Sequence, residues 1–336
     1  VGVVGTGSLG KEHARIYSAL AAEGLVVFAG VMDQNEEAAG KIAAKYGVKT
    51  FTNLSEAVAG CDALSIVTPT ITHFELAKAL LKEGRHVLIE KPMTATAEEA
   101  AELIAVAREK NCLVQVGHVE RFNPVFKYLQ SVATHPQFIE AHRLSPYPAR
   151  STDIGVVLDL MIHDLDVVLA FVRSEVTRVD GVGVRVLSSS EDIANARITF
   201  ANGCVANLTA SRISPERMRK IRVFSGGPIT SYVSLDYRAQ EGFIYRIARD
   251  GDEESSFLKK LLSARDSSIV SEFAGKKIVR EPVPIVKDEP LKLELSHFIE
   301  CVRTQHTPLV SGESGRKALQ LALEITEQIK TRAATA

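Results

Sequence analysis

Short runs of β-branched and aliphatic residues alternate with alanine-rich amphipathic stretches through the first third of the chain. The runs are Val1 to Val4, Val26 to Val31, Ala63 to Val67, His86 to Ile89 and Leu113 to Val116. Strands that are apolar throughout, separated by segments of helical period, predict a parallel α/β sheet with helices on its faces. Beyond Phe138 the rhythm changes. Ile193 to Phe200 and Val205 to Ser211 are longer and alternate, and Asn202-Gly203 between them is a strong hairpin signal. In the strand Asp192 to Phe200, Ala194, Ala196, Ile198 and Phe200 share one face, while Ile193, Asn195, Arg197 and Thr199 share the other. That second face is expected to meet solvent or a partner subunit. Residues 251–290 carry charges broken by Pro282, Pro284 and Pro290 and predict loops with an edge strand; amphipathic helices follow over about Leu291 to Val302 and Glu313 to Lys330.

The 336 residues suit two domains at roughly 150 each. The change of rhythm places them at 1–120 and 121–336, with the closing helix free to pack back on the first. At 46% hydrophobic and 24% charged residues, the composition is that of an ordinary folded protein. A formal charge of -1 supplies no global field for nucleic acid or an anionic membrane, so any anionic ligand is held locally. Cys61, Cys112, Cys204 and Cys301 are far apart and read as free thiols of a reducing cytoplasm. No apolar run reaches the roughly 18 residues of a membrane span. The first residues read as a strand rather than a signal peptide, and the lack of Met before Val1 suggests a few trimmed positions.

The chemistry begins at Gly5-Thr6-Gly7-Ser8-Leu9-Gly10, where a strand runs through GxGxxG into a helix. Gly5 permits the turn, Gly7 lets the backbone approach a pyrophosphate, Gly10 lets helix and strand pack, and the helix N-terminus offers free N–H groups. The second strand ends at Asp33, about 20 residues on, where a carboxylate accepts from the adenosine ribose hydroxyls. Asp33-Gln34-Asn35 has no cation for a 2′-phosphate, so NAD is expected over NADP.

The strand His86 to Ile89 runs into Glu90-Lys91-Pro92, placing Lys91 at a carboxyl strand end, where ligands of such sheets bind. Glu90 can also be read as its ion-pair partner. Asp159, His163 and Asp166 follow i, i+4, i+7 along an otherwise apolar helix, a polar stripe that needs partners or a cavity. His163 can take a hydroxyl proton near neutral pH, Asp159 can orient it or bind a substrate hydroxyl, and Lys91 can stabilise the oxygen as it loses its proton. This is alcohol dehydrogenation without a metal. His163, Asp164, Asp166 and His118 show no metal-ligand spacing.

GTGSLG, EKP and the DxxxH of Asp159 and His163 resemble the Gfo/Idh/MocA oxidoreductases. The resemblance extends through Thr68-Pro69 with His73, through Gly117 to Pro124, and through the helix after Val310-Ser-Gly-Glu. It implies an N-terminal Rossmann domain and a C-terminal α/β domain with an open, mainly antiparallel sheet. It further implies NAD(P), oxidation or reduction of sugar-like hydroxyls, and homodimers or homotetramers assembled through that sheet. Lys91 matches the lysine that contacts cofactor and substrate, Asp159 the substrate-facing acid and His163 the acid/base. Thr68, Pro69, His73 and Glu90 match positions on the cofactor side. The segments around Gly117 to Pro124, Asp153 to Asp166 and Arg219 to Phe224 look like the branch containing UDP-N-acetylglucosamine 3-dehydrogenases. That branch implies oxidation of a sugar C3 hydroxyl, with an aminotransferase acting next toward lipid A or surface glycans. Free polyols such as inositol, and a non-catalytic NAD sensor, stay open as alternatives.

A nucleotide-sugar needs cations for its diphosphate, for which Arg121, Arg143 and Arg150 are candidates. His118, Glu120, Asn123 and Tyr147 are candidates for sugar hydroxyls or the base. Arg212, Arg217, Arg219, Lys220 and Arg222 form a basic cluster lacking aromatic interleaving, which reads as a solvated sheet edge, not a nucleic-acid site.

Overall fold

The computed structural model describes residues 1–147, 154–227, 230–248, 268–273 and 276–335. The chain divides into two compact units, Val1–Phe122 with Glu289–Leu323, and Asn123–Asp288 with Glu324–Ala336.

The first unit is built on six parallel strands, β1 (Gly2–Val4), β2 (Gly30–Met32), β3 (Lys49–Thr50), β4 (Ala63–Ile66), β5 (His86–Glu90) and β6 (Val114–Gly117), in the order β3-β2-β1-β4-β5-β6. Every residue of β1, β4 and β6 is buried, as strands covered on both faces require. The order reverses between β1 and β4, and ligands of such sheets bind outside the carboxyl strand ends at that switch point. Helix α1 (Ser8–Ala22) follows β1 and buries His13, Ala14, Ile16, Tyr17 and Leu20 on one face. This face packs with Leu295, Phe298 and Ile299 of the helix Pro290–Thr304, which is why that late segment belongs to the first unit. Helix α2 (Glu36–Tyr46) starts at Asn35, whose side chain accepts from Ala38 N–H, and stops at Gly47 with φ +66°. Helices α3 (Leu54–Gly60) and α4 (His73–Lys82) follow, and α5 (Ala97–Glu109) opens with a reciprocal Thr96/Glu99 capping box. The second strand is shorter than its β-branched run suggested: pairing begins at Gly30, and Val27 is exposed.

The second unit carries nine strands, β7 (Pro136–Leu144), β8 (Val176–Val184), β9 (Ile193–Phe200), β10 (Val205–Ser211), β11 (Met218–Ser225), β12 (Ser231–Asp236), β13 (Glu241–Ile247), β14 (Ser268–Phe273) and β15 (Lys276–Pro282). Their order is β14-β15-β13-β12-β11-β7-β10-β9-β8; β7 and β10 run parallel and the other pairs antiparallel. β9 and β10 form the expected hairpin with Gly203 at φ +84°. Ala194, Ala196, Ile198 and Phe200 are all buried, while Arg197 on the opposite face is exposed. Helix α6 (Pro124–Val132) packs on β12, and α7 (Ile162–Val172) packs on β7 and β10.

Two expectations are corrected. Over the described part of 251–290 the chain makes two paired strands, β14 and β15, instead of loops with one edge strand. Lys276, Lys277, Arg280 and Glu281 obscure the alternation that leaves Val279 buried. The basic cluster is not a sheet edge, because β11 lies inside the sheet between β12 and β7. Arg212 is fully buried, with Nε 2.9 Å from Asp192 Oδ1 and further bonds to Ile154 O, Ser188 Oγ and Ser190 Oγ. Hydrogen bonds from Ser188, Leu187, Val186 and Arg212 outweigh burial and hold the Asp192 carboxyl well below the usual carboxylate range.

Candidate functional site

In the first unit the β1–α1 turn forms a cradle. Gly5 takes φ +97°, and a Cβ on Gly10 would lie 1.9 Å from Gly5 O, so these two glycines are demanded by packing. Gly7 is different: a Cβ there would meet nothing within 4 Å. Space is kept beside an exposed backbone, and Gly7, the N-cap of α1, carries no side chain to cap the helix. Ser8 and Leu9 are exposed in the first turn, and Thr6 is buried beneath it.

At the end of β2 the Asp33 carboxylate accepts from Thr6 N at 2.5 Å, Thr6 Oγ1 at 2.9 Å and Asn35 N at 2.9 Å. Burial opposes its ionisation, but these donors prevail and keep its carboxyl below the ordinary value. Asp33 is therefore an anchored anion with acceptor capacity in reserve, suited to ribose hydroxyls and hostile to a phosphate. The glycine N-cap of α1, the open space at Gly7 and the anchored Asp33 fit NAD.

Beyond β4 and β5 lie the loops carrying Thr68-Pro69 and Lys91-Pro92. His73 joins them: Nε2 lies 2.8 Å from Thr68 O and Nδ1 2.9 Å from Pro92 O. Thr72 Oγ1 also donates to Thr68 Oγ1 at 2.7 Å. His73 is buried, which pushes its pKa down against the hydrogen bonds to those carbonyls. Its placement makes it a brace for both loops. Glu90 is 7% exposed, and its Oε1 lies 3.0 Å from Nε2 of His13, a residue that the sequence reading missed. The available signal was a histidine on the apolar stripe of α1, level with Ala14 and Tyr17.

After β6, His118 and Glu120 are buried, and Arg121 Nη2 donates to Leu309 O at 3.2 Å. Burial, together with the positive charges of Lys91 and Arg121, pushes His118 down to about 3. His118 is thus a neutral imidazole in the field of Lys91.

In the second unit a π-helical turn, Val157–Met161, leads into α7, so the polar stripe begins on a wider turn than the 3.6 period assumes. Asp159 and His163 are half-buried, and Asp166 is buried. The start of the turn meets Glu191, another residue missed from sequence, whose Oε1 accepts from Val157 N at 3.3 Å while its backbone O accepts from Val156 N at 2.9 Å. A Cβ on Gly155 would lie 1.8 Å from that carboxylate, so Gly155 leaves room for it. An acid at a helix N-terminus also suits the helix dipole.

Several candidates have structural partners. Arg143 is 3% exposed, with Nε and Nη2 each 2.9 Å from the Asp164 carboxylate, a bidentate pair that pins the residue after His163. Asn123 caps α6 through Val125 N–H and donates to Tyr237 O. Tyr147 lies under the Arg212 guanidinium, 5.8 Å from ring centre to carbon. Arg150 lies outside the described residues. Among the described residues no helix is long and apolar enough to cross a membrane.

Residues 1–118 match the oxidoreductase-family model described as an NAD-binding Rossmann fold, and residues 130–226 match the GFO/IDH/MocA C-terminal domain. The chain is 36% identical over 325 residues to the UDP-N-acetylglucosamine 3-dehydrogenase of Acidithiobacillus ferrooxidans, covering 96% of this chain and 95% of the relative. A solved structure of that protein superposes with a TM-score of 0.86 over 98% of this chain and 97% of the other, at 35% identity. The scyllo-inositol 2-dehydrogenase (NAD(+)) of Bacillus subtilis is 26% identical over 98% of this chain and 93% of its own. A levoglucosan dehydrogenase solved with NADH and levoglucosan shares the fold at 17% identity and a TM-score of 0.80, over 98% and 96% of the two chains.

Proposed function

Because the chain belongs to the Gfo/Idh/MocA family of NAD-binding oxidoreductases, we propose that it oxidises the C3 hydroxyl of UDP-N-acetylglucosamine, or of a related UDP-sugar, to the 3-keto sugar. The observation that carries this reading is the similarity to a UDP-N-acetylglucosamine 3-dehydrogenase along nearly the whole of both chains. NAD, held by Gly5 to Gly10 and Asp33, supplies the hydride acceptor when bound. His163 takes the proton of the substrate hydroxyl, and Asp159 orients that imidazole or the hydroxyl itself. The Lys91 ammonium stabilises the oxygen as negative charge develops on it. Thr68, Pro69, His73 and Glu90 shape the cofactor side. Of the cations considered for the diphosphate, Arg121 is the one this reading keeps, since the Arg143 guanidinium is already matched by Asp164.

The product ketone is a substrate for an aminotransferase, which places the reaction in the making of diamino sugars for lipid A or surface glycans. Cytoplasmic residence fits four cysteines that form no disulfide. A free polyol is the second reading, favoured by the full-length similarity to an inositol dehydrogenase.

The test measures NADH formation with purified protein, coupled to an aminotransferase so that an unfavourable oxidation is drawn forward. Turnover confined to UDP-linked N-acetyl sugars is expected, and turnover on free inositol alone discards the nucleotide-sugar reading. Lys91→Ala is expected to lower kcat by about 100-fold or more while NADH still binds. Full activity in that variant removes Lys91 from the chemistry.

A further inference from the structure

His13 sits on α1, three residues after the last glycine of the cradle, and is fully buried. Its Nε2 meets Glu90 Oε1 at 3.0 Å, joining α1 to the end of β5 across 77 positions of sequence. The other oxygen of the same carboxylate, Oε2, accepts from the Lys91 backbone N–H at 3.3 Å. The carboxylate is also pressed against β6: a Cβ on Gly117 would lie 2.7 Å from Oε2 and 2.8 Å from Oε1. A carboxylate only accepts, so the bond requires the His13 proton on Nε2. Nδ1 is buried and has no hydrogen-bond partner among the described residues. The ring is thereby fixed as one tautomer, pointing one way.

We propose that His13 is a positioning residue. It holds the Glu90 carboxylate, and through it the Lys91 backbone, in register with the helix whose N-terminus receives the dinucleotide phosphates. The inference rests on the reading of Lys91 given above. It adds that the cradle and the lysine are joined by a buried polar link, so that the lysine is set from the cofactor side. A merely structural pair behaves differently, because a buried hydrogen-bonded pair exchanged for apolar side chains of like shape can leave stability unchanged or improved.

The test compares His13→Leu, His13→Gln, the double variant His13→Leu/Glu90→Met and Lys91→Ala. Each is measured for urea stability, NADH affinity by fluorescence, and kcat and KM with UDP-N-acetylglucosamine. His13→Leu is expected to lose about 10- to 100-fold in kcat, the scale of a misplaced catalytic group, with KM and NADH affinity changed far less. His13→Gln, whose amide N–H replaces the donor, recovers most of the loss. The double variant regains stability without regaining kcat. Nitrogen NMR of the histidine rings places the His13 proton on Nε2 with and without NADH. A folded His13→Leu protein with native kcat overturns the proposal, as does a double variant in which kcat returns with stability, or a His13 proton on Nδ1. Lys91→Ala separates the two readings: full turnover there overturns the Lys91 assignment and this inference together. An inactive Lys91→Ala beside a fully active His13→Leu overturns this inference alone.

Discussion

His118 shows how one buried side chain can govern the response of the whole protein to acid. Its native pKa lies near 3, against about 6.5 for a free imidazole, because burial and the charges of Lys91 and Arg121 all oppose a second proton. The native pKa is depressed, so below about pH 6.5 the unfolded chain binds a proton that the native one refuses until about pH 3. Stability therefore falls on acidification by about 1.4 kcal/mol per pH unit in that window, or about 2 kcal/mol at pH 5. His73, His86 and His297 are also held low by burial and steepen the same limb. His118→Gln removes the largest single share. Urea unfolding from pH 7 to 4.5 is expected to show a flatter decline in the variant, and parallel profiles for variant and native protein would contradict the assignment. Neutral His118 also adds no charge to the neighbourhood of Lys91, which a protonated imidazole would repel.

At the scale of the element, the β1–α1 turn separates glycines that packing demands from one that packing leaves open. Gly10→Ala drives a Cβ into the Gly5 carbonyl and is expected to cost several kcal/mol or prevent folding. Gly7→Ala meets open space. It is expected to keep native stability within about 0.5 kcal/mol, as a substitution without a clash does, while NADH affinity falls because the methyl takes the space of the approaching pyrophosphate. Calorimetry and NADH fluorescence on both variants check the contrast. This turn was legible in the sequence because GxGxxG is local and its neighbours, Val1 to Val4 and Lys11 to Ala22, are consistent with it. The Asn202-Gly203 hairpin was legible for the same reason. The π turn at Val157–Met161 was not, since a spacing of four residues leaves Asp159 and His163 near one another on either helix type. The acid that meets the start of this turn is Glu191, 34 positions from Val157 in sequence. Arg212 and His13 were hidden similarly: each polar group is matched by a distant acid, Asp192 or Glu90, that composition and periodicity cannot pair with it.

For the whole molecule, the open face of the nine-stranded sheet is the expected surface of assembly. Its opposite face is buried along Ile139, Ile221, Val223, Val233 and Leu235. On the open face Phe138, Phe224, Tyr232 and Tyr245 form a row across β7, β11, β12 and β13, with ring centroids 5.9, 4.6 and 5.2 Å apart. Phe224 is 42% exposed in the middle of that row. Beside it, Arg222 and Glu140 lie 3.6 Å apart on neighbouring strands, and Asn195 donates to Thr209 on the far side of the same sheet. An aromatic strip edged by matched polar groups has the make-up of a subunit interface, with an apolar centre and a polar rim. The expected partner is a second copy of this chain, since a flat sheet face can pair with itself about a two-fold axis. Native protein is expected to elute as a dimer or tetramer. Phe224→Glu, which sets a charge in the centre of the strip, is expected to shift it toward monomer with the fold retained, because that side chain projects away from the core. Sedimentation and circular dichroism on the two proteins decide the matter: a native monomer, or an unchanged oligomer in Phe224→Glu, removes this face from assembly.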